Sequence, residues 1–366
     1  MKLRFWKVLF SLLAGGTGAF ASVPVRNWWG EELSAEPSAI FLYPSKLTGY
    51  RGAAVFAGLG SSMLSEERTR LVYDQFENTI GEAAYADNIS WSLHFGPFAG
   101  VYRWRGFGFG AGLTQVRDFS YQYLKEYLDD FYVKIGEDRV EQSGGIWTGA
   151  LAVGYSPVSW LEIGAGGRYL YGQRRLELVH IRVPETSAVS LKSSIRGAGW
   201  QAGAGFVSRA GWRVDACYQS AIRSGSGDSD TIRKLPWCAG IAAELNVPGV
   251  LPARMLAEAK LSGWSEVDSG FRNVLSVRAG IEHRLLNRVR MSYGFGVDPL
   301  FSNSAVHRLL GRFGLGFDIS RLRLDFNLQA SREELDAGDF ALPVEPADIR
   351  VYQDRIGLTL NFRYDI

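Results

Sequence analysis

The last sixteen residues, 351–366, read VYQDRIGLTLNFRYDI. Tyr352, Ile356, Leu358, Leu360, Phe362, Tyr364 and Ile366 share one parity, and Gln353, Arg355, Thr359, Asn361, Arg363 and Asp365 share the other. A period of two is the mark of a strand with one apolar face and one polar face. Working backwards, Leu322, Leu324, Phe326 and Leu328 alternate with Arg321, Arg323, Asp325, Asn327 and Gln329, and Phe313, Leu315, Phe317 and Ile319 alternate with Arg312, Gly314, Gly316 and Asp318. The same pattern runs through Val289 to Phe295, Leu275 to Ile281 and Trp212 to Tyr218.

Alternation fits a soluble sandwich or a membrane barrel. Strand length decides, because these segments run to about 10–14 residues where soluble strands average about 5–6. Counting strands from 51–61 to 351–366 gives fourteen, an even number. Connections near Arg105, Pro157 to Ser159, Ala210, Pro248 to Pro252, Asn287 and Ser320 are tight, whereas 62–87, 122–143, 223–236, 298–307 and 332–350 are long. Short turns mark the periplasmic side of an outer-membrane barrel and long loops the exterior, so both termini are expected in the periplasm. A closed barrel also pairs every backbone group away from lipid.

Composition agrees with an all-β, transmembrane antiparallel barrel. The 366 residues include 43 Gly, 21 Phe, 16 Tyr and 11 Trp, a content that excludes disorder. Two Cys exclude a disulfide-rich scaffold. Past the first two dozen residues no apolar run approaches the ~18 needed for a spanning helix. Lys2, Arg4 and Lys7 precede an apolar stretch, Val8 to Phe20, and Ala19-Phe20-Ala21 has the small-x-small form of a cleavage site, so residues 1–21 read as a signal peptide. Its removal takes three basic residues from a formal charge of +2, leaving no basic excess for nucleic acid. Localisation is therefore expected in the outer membrane of a Gram-negative-type bacterium, with lipid around the barrel and a monomeric chain.

Residues 22–50 do not alternate and precede the barrel proper, 51–366. The stretch EPSAIFLYPSKLTG, 36–49, resembles the N-terminal hatch of the FadL-like long-chain fatty acid transporters, with Tyr43-Pro44-Ser45 where members carry Asn-Pro-Ala. The Gly-rich third strand 106–112, the WLEIGAG strand 160–166 and the RAGIEHR strand 278–284 look like strands of that family, so the resemblance covers nearly the whole mature chain. It implies a barrel of about 14 strands plugged by the hatch. It further implies passive uptake of small hydrophobic, fatty-acid-like molecules, with lateral exit at strand three. On this reading Phe41, Tyr43 and Pro44 lie nearest the turn of the plug, and Gly106, Gly108, Gly110 and Gly112 face it, either clearing a solute path or allowing the plug to pack closely. The final strand, with Arg355-x-Gly357-x-x-Leu360-x-Phe362, resembles the signal read by the outer-membrane assembly machinery, although Ile366 stands where Phe or Trp is usual.

Two loops depart from the fatty acid transporters, since 183–192 and 223–236 are polar, and short beside the large apolar external loops that capture substrate in that family. Loop 62–87 has Leu64, Leu71, Val72, Phe76 and Ile80 near helical spacing and is expected to form an amphipathic helix. Inward Arg278, Arg290, Arg312, Arg323 and Arg355 offer planar forks for a carboxylate, or else fill the interior by pairing with Glu282, Asp318 and Asp325. His94 lies on the polar face of strand two, His180 near a strand end, His283 on the apolar face and His307 in a loop; none sits in a catalytic spacing, so no enzyme is expected, although separate strands can bring such groups together. Cys217 and Cys238 are placed about four residues out of register, beyond disulfide reach. No metal and no cofactor is expected. The alternative to transport is a barrel that serves as a secretion or assembly partner.

Overall fold

The computed structural model describes residues 40–182, 185–223, 234–249, 251–266, 272–286, 288–299, 307–336 and 349–366. The expected signal peptide and the first part of the expected plug, 22–39, lie outside them. The first strands are β1 (Ala53–Tyr73), β2 (Thr79–Trp104), β3 (Phe107–Asp118), β4 (Tyr121–Leu128), β5 (Lys134–Val158), β6 (Leu161–Arg182) and β7 (Glu185–Val207). Then come β8 (Trp212–Gln219), the two-residue pair β9 (Ile222–Arg223) and β10 (Lys234–Leu235), β11 (Cys238–Val247) and β12 (Ala253–Ser262). The chain ends with β13 (Val274–Leu286), β14 (Val289–Pro299), β15 (His307–Ile319), β16 (Leu322–Asp336) and β17 (Ile349–Asp365).

Each strand is antiparallel to its neighbours. The ring closes where β1 pairs β17 from Ala54↔Asp365 to Arg70↔Ile349. Because β3 and β4 both pair β5 and together form one interrupted stave, the barrel has fourteen staves. On β1, Ala54 and Phe56 are buried while Val55 and Leu59 face outward, and the terminal strand turns Ile356, Leu358, Phe362 and Tyr364 outward and buries Thr359 and Asn361. An apolar outer wall around a polar lumen is the pattern lipid requires. At the short-turn end the last residue, Ile366, donates its N–H to Ala53 O at 2.9 Å, so the barrel begins and ends at one rim.

The opposite rim corrects the sequence expectation. No helix forms in 62–87; β1 and β2 continue to Tyr73 and Thr79, joined by a five-residue turn. Residues 122–143 are likewise mostly strand, and so are 185–192. Strands of 25 residues in β5 and 26 in β2 exceed the ~9–11 that cross a bilayer, so these hairpins project beyond it. Two projecting hairpins, β1–β2 and β4–β5, share one turn chemistry. Asp74 Oδ1 accepts from the N–H groups of Phe76 and Asn78, both at 2.8 Å, and Asp129 Oδ1 does so from Phe131 and Val133 at the same distances. Glu77 and Tyr132 take the same left-handed conformation, φ 62° and 61°. The Asp carboxylate stands in for a backbone acceptor and lets the strands run on. A short isolated helix would instead have left the edge of β17 without its ladder partner.

The cysteine register also differs. Cys238 stands opposite Gln219, and Cys217 opposite Gly240, an offset of two residues rather than four. Both thiols are buried and free.

Candidate functional site

Residues 40–50 lie inside the barrel. Pro44 cannot donate to a ladder, and Pro44–Gly49 form a 3-10 turn in which Lys46 N–H donates to Tyr43 O at 3.0 Å. Side chains of three strands, β7, β8 and β12, hold this segment. Tyr43 Oη donates to Glu258 Oε1 at 2.8 Å, Lys46 Nζ lies 3.4 Å from Asp215 Oδ2, Gln219 Nε2 donates to Phe41 O at 2.6 Å, and Gln201 donates to Ile40 O. Asp215 is itself clamped by Arg213 through two contacts of 2.7 and 2.8 Å. Burial lowers the Lys46 ammonium from its ordinary pKa, and the Asp215 carboxylate opposes that shift.

The strand-three glycines meet this segment. A Cβ on Gly108 would fall 2.2 Å from Leu47 O, so backbone touches backbone there. Gly110 abuts Ile40 and Leu47, and Gly112 abuts the Phe41 ring. Gly106 is apart from them, in the β2–β3 turn beside the Tyr155 ring.

Beyond the glycines the backbone ladder of the wall stops along a seam. The β2–β3 ladder runs from Trp104↔Phe107 to Phe98↔Leu113 and ends. Strand three then breaks at Phe119 and Ser120, and β4 pairs β5 alone. From Phe98 to the projecting rim no ladder joins β2 to its neighbour. Asn88 Nδ2, donating to Gln122 O at 2.6 Å, is one side-chain tie across the gap. At the break the Phe119 ring turns inward and packs with Ile146, Leu170, Ile222, Trp264 and Val274, all buried.

Two arginines border this apolar cluster. Arg174 is 6% exposed, its guanidinium lies 5.5 Å from the Phe119 ring centre, and among the described residues no carboxylate is within ion-pair distance. Arg168 donates to Gln219 Oε1 and Ser220 O at 2.9 and 3.2 Å and likewise has no acid beside it. The register explains both. Arg174 stands opposite Gly144 and Ser193, and Arg168 opposite Ala150 and Gly199, so neither neighbouring strand brings an acid to its level.

The arginines singled out from the sequence lie elsewhere. Arg278 reaches Asp298 and Glu258 at 3.2 and 3.8 Å; Arg290 reaches Asp325, Asp318 and Glu282 at 2.8, 3.3 and 3.6 Å; Arg323 reaches Asp318 at 3.4 Å. Arg312 is buried on β15, and Arg355 faces inward on β17 opposite Leu64 and Ser331. Sequence reasoning passed over Phe119, Arg174 and Trp264. The signal for Arg174 is an inward arginine with small neighbours on both sides, which appears only once the pairing is known.

No protein-family profile matches the sequence, and no curated protein does. Solved structures match over nearly the whole chain. A Pseudomonas aeruginosa FadL homologue is 13% identical with a TM-score of 0.63, covering 92% of this chain and 95% of its own. The P. putida toluene transporter TodX is 13% identical with a TM-score of 0.62, over 90% and 94%. The Ralstonia pickettii toluene transporter TbuX is 14% identical with a TM-score of 0.57, over 90% and 94%. The chain has the fold of the FadL-like outer-membrane barrels.

Proposed function

We propose that this barrel is an outer-membrane channel through which a small hydrophobic solute enters the lumen and leaves sideways between β2 and strand three. The observation that carries this reading is the seam: the ladder stops beside the buried apolar cluster around Phe119. Residues 22–50 act as the plug that blocks the straight route. The rim where Ala53 and Ile366 meet faces the periplasm, and the last strand is the one presented to the assembly machinery. A lateral route spares an apolar solute release into water.

Arg174 narrows the solute class to amphiphilic acids. A buried guanidinium without a counter-charge is unfavourable, and a carboxylate arriving with an apolar tail would pair its fork while the tail lies on Phe119 and Trp264. The test is a staple. Cysteines at Asn88 and Gln122, in a background with Cys217→Ala and Cys238→Ala, are oxidised across the seam and cross-linking is verified by peptide mass. Uptake of a fluorescent fatty-acid-like probe into liposomes should fall several-fold and return with reductant. Unchanged uptake in the cross-linked protein defeats the lateral route.

A second reading, a docking partner for secretion or assembly, has the hairpin tips in its favour, where Phe76, Phe131 and Tyr132 are 73%, 85% and 85% exposed. Serines at these three positions leave uptake intact on the first reading and abolish partner binding on the second.

A further inference from the structure

Beside the seam three strands bring together a group of side chains that transport does not use. On β2, Trp91, Leu93 and Phe95 are exposed on the outer wall, so Ser92 and His94 turn to the lumen. Ser62, opposite Ser92 in the β1–β2 register, faces the same way. The Ser62 and Ser92 hydroxyls are 2.8 Å apart, and each lies 2.9 Å from His94 Nε2. On the other side of the ring, His94 Nδ1 is 3.5 Å from Asp118 Oδ2, at ion-pair distance across the seam. Asp118 is aimed by Ser120, whose N–H and hydroxyl donate to its Oδ1 at 3.0 and 2.8 Å and leave Oδ2 for the histidine. His94 and Asp118 keep side-chain exposures of 14% and 11%, enough for a ligand in the lumen to reach them.

We propose that Ser62 or Ser92, with His94 as general base and Asp118 positioning it, hydrolyses esters of hydrophobic acids in the lumen. The arrangement brings together a nucleophile within hydrogen-bond reach of a base and, on the far side of the ring, a carboxylate at ion-pair distance from Nδ1. Either hydroxyl can donate to the other at 2.8 Å, so one serine can orient the one that attacks. The β2 residues that precede Phe98, Ser92 and His94 among them, have no ladder partner on strand three. Asp118 and Ser120 flank Phe119, so the acyl chain lies against the apolar cluster when its carbonyl meets the serine.

In the first step the serine Oγ bonds to the carbonyl carbon, the bond from that carbon to the alkoxy oxygen breaks, and the serine proton passes through His94 Nε2 to the departing alcohol. Water from the lumen then attacks the acyl-serine, gives a proton to Nε2, and releases a carboxylic acid as the proton returns to Oγ. No oxidant, metal or further reactant enters. The proposal does not depend on transport and is tested without it.

Full-length mature protein in detergent is exposed to an alkyl fluorophosphonate and, separately, to p-nitrophenyl octanoate. One adduct per chain is expected, located by peptide mass at Ser92 or Ser62. His94→Asn and His94→Gln should each lower labelling and ester turnover about 10²-fold, the usual contribution of a general base. Asp118→Asn should lower the rate and move the acid limb of the pH profile to lower pH, since loss of the carboxylate makes the imidazole less basic; a structural role alone would not move that limb. Heat-modifiable gel mobility monitors the barrel in each variant. An absent adduct, an adduct on another residue, or labelling that stays at the unsubstituted level in both His94 variants overturns the proposal.

Discussion

The lumen faces of β6 and of β12–β16 handle buried positive charge in opposite ways. On β12–β16, Arg254, Arg278, Arg290 and Arg323 each lie within 4 Å of one or more carboxylates, in ladders that cross from strand to strand. On β6, Arg168 and Arg174 face Gly, Ala and Ser on both neighbouring strands and border apolar side chains. A buried pair is costly to break because the surviving partner keeps its desolvation penalty. An unpaired charge has no such partner to strand. The ladder side is therefore built to stay fixed, and the β6 side holds an unsatisfied group that a ligand can complete.

The largest effect is expected from cutting the ladder. Arg290→Met removes the cation that Asp325, Asp318 and Glu282 share and leaves them only Arg323 and Arg254, which should destabilise the barrel by about 3 kcal/mol in urea unfolding from lipid vesicles. A loss no greater than that of Arg174→Met would erase the distinction between the two faces.

An intermediate effect is expected where the inner segment meets strand three. In Gly108→Val the new Cβ starts 2.2 Å from Leu47 O, so residues 40–50 must move, at a cost of about 1–3 kcal/mol. Single-channel conductance to small ions should rise, because an opened barrel of this size holds water. Gly106→Val, in the turn and away from the segment, should leave conductance unchanged, which makes the pair a test of position rather than of glycine content.

The smallest effect on stability is expected at Arg174. Arg174→Met removes a buried charge without orphaning an acid, so stability should hold within about 1 kcal/mol or increase. Uptake of an acidic amphiphile should fall about tenfold while uptake of a neutral hydrocarbon of equal size is preserved. Equal loss of both would mean that Arg174 shapes the lumen and does not recognise charge.

The hairpins show where local reading reached its limit. Leu64, Leu71, Val72, Phe76 and Ile80 have helical spacing by coincidence, and their placement was settled by the ladders that β17 and β2 offer to β1. The five-residue turn headed by Asp74, repeated at Asp129, was the available signal, and it is local enough to be found by comparing the two segments. The strand-three break at Phe119 had no comparable mark, because residues 106–121 read as one strand.

By itself the sequence determined the barrel. The period of two from Tyr50 onward, the length of the strands, the tight turns and the Tyr43-Pro44 step that cannot join a ladder are properties of consecutive residues, and one apolar face per strand leaves a closed wall in lipid as the stable arrangement. Tertiary structure alone decided which arginines are paired, where the wall has no ladder, and that Ser62, Ser92, His94 and Asp118 meet. Each of these depends on register between strands that are far apart in sequence. A shift of one residue exchanges the two faces of a strand, and a shift of two keeps the face but changes every partner, so parity could be read from the chain and partnership could not.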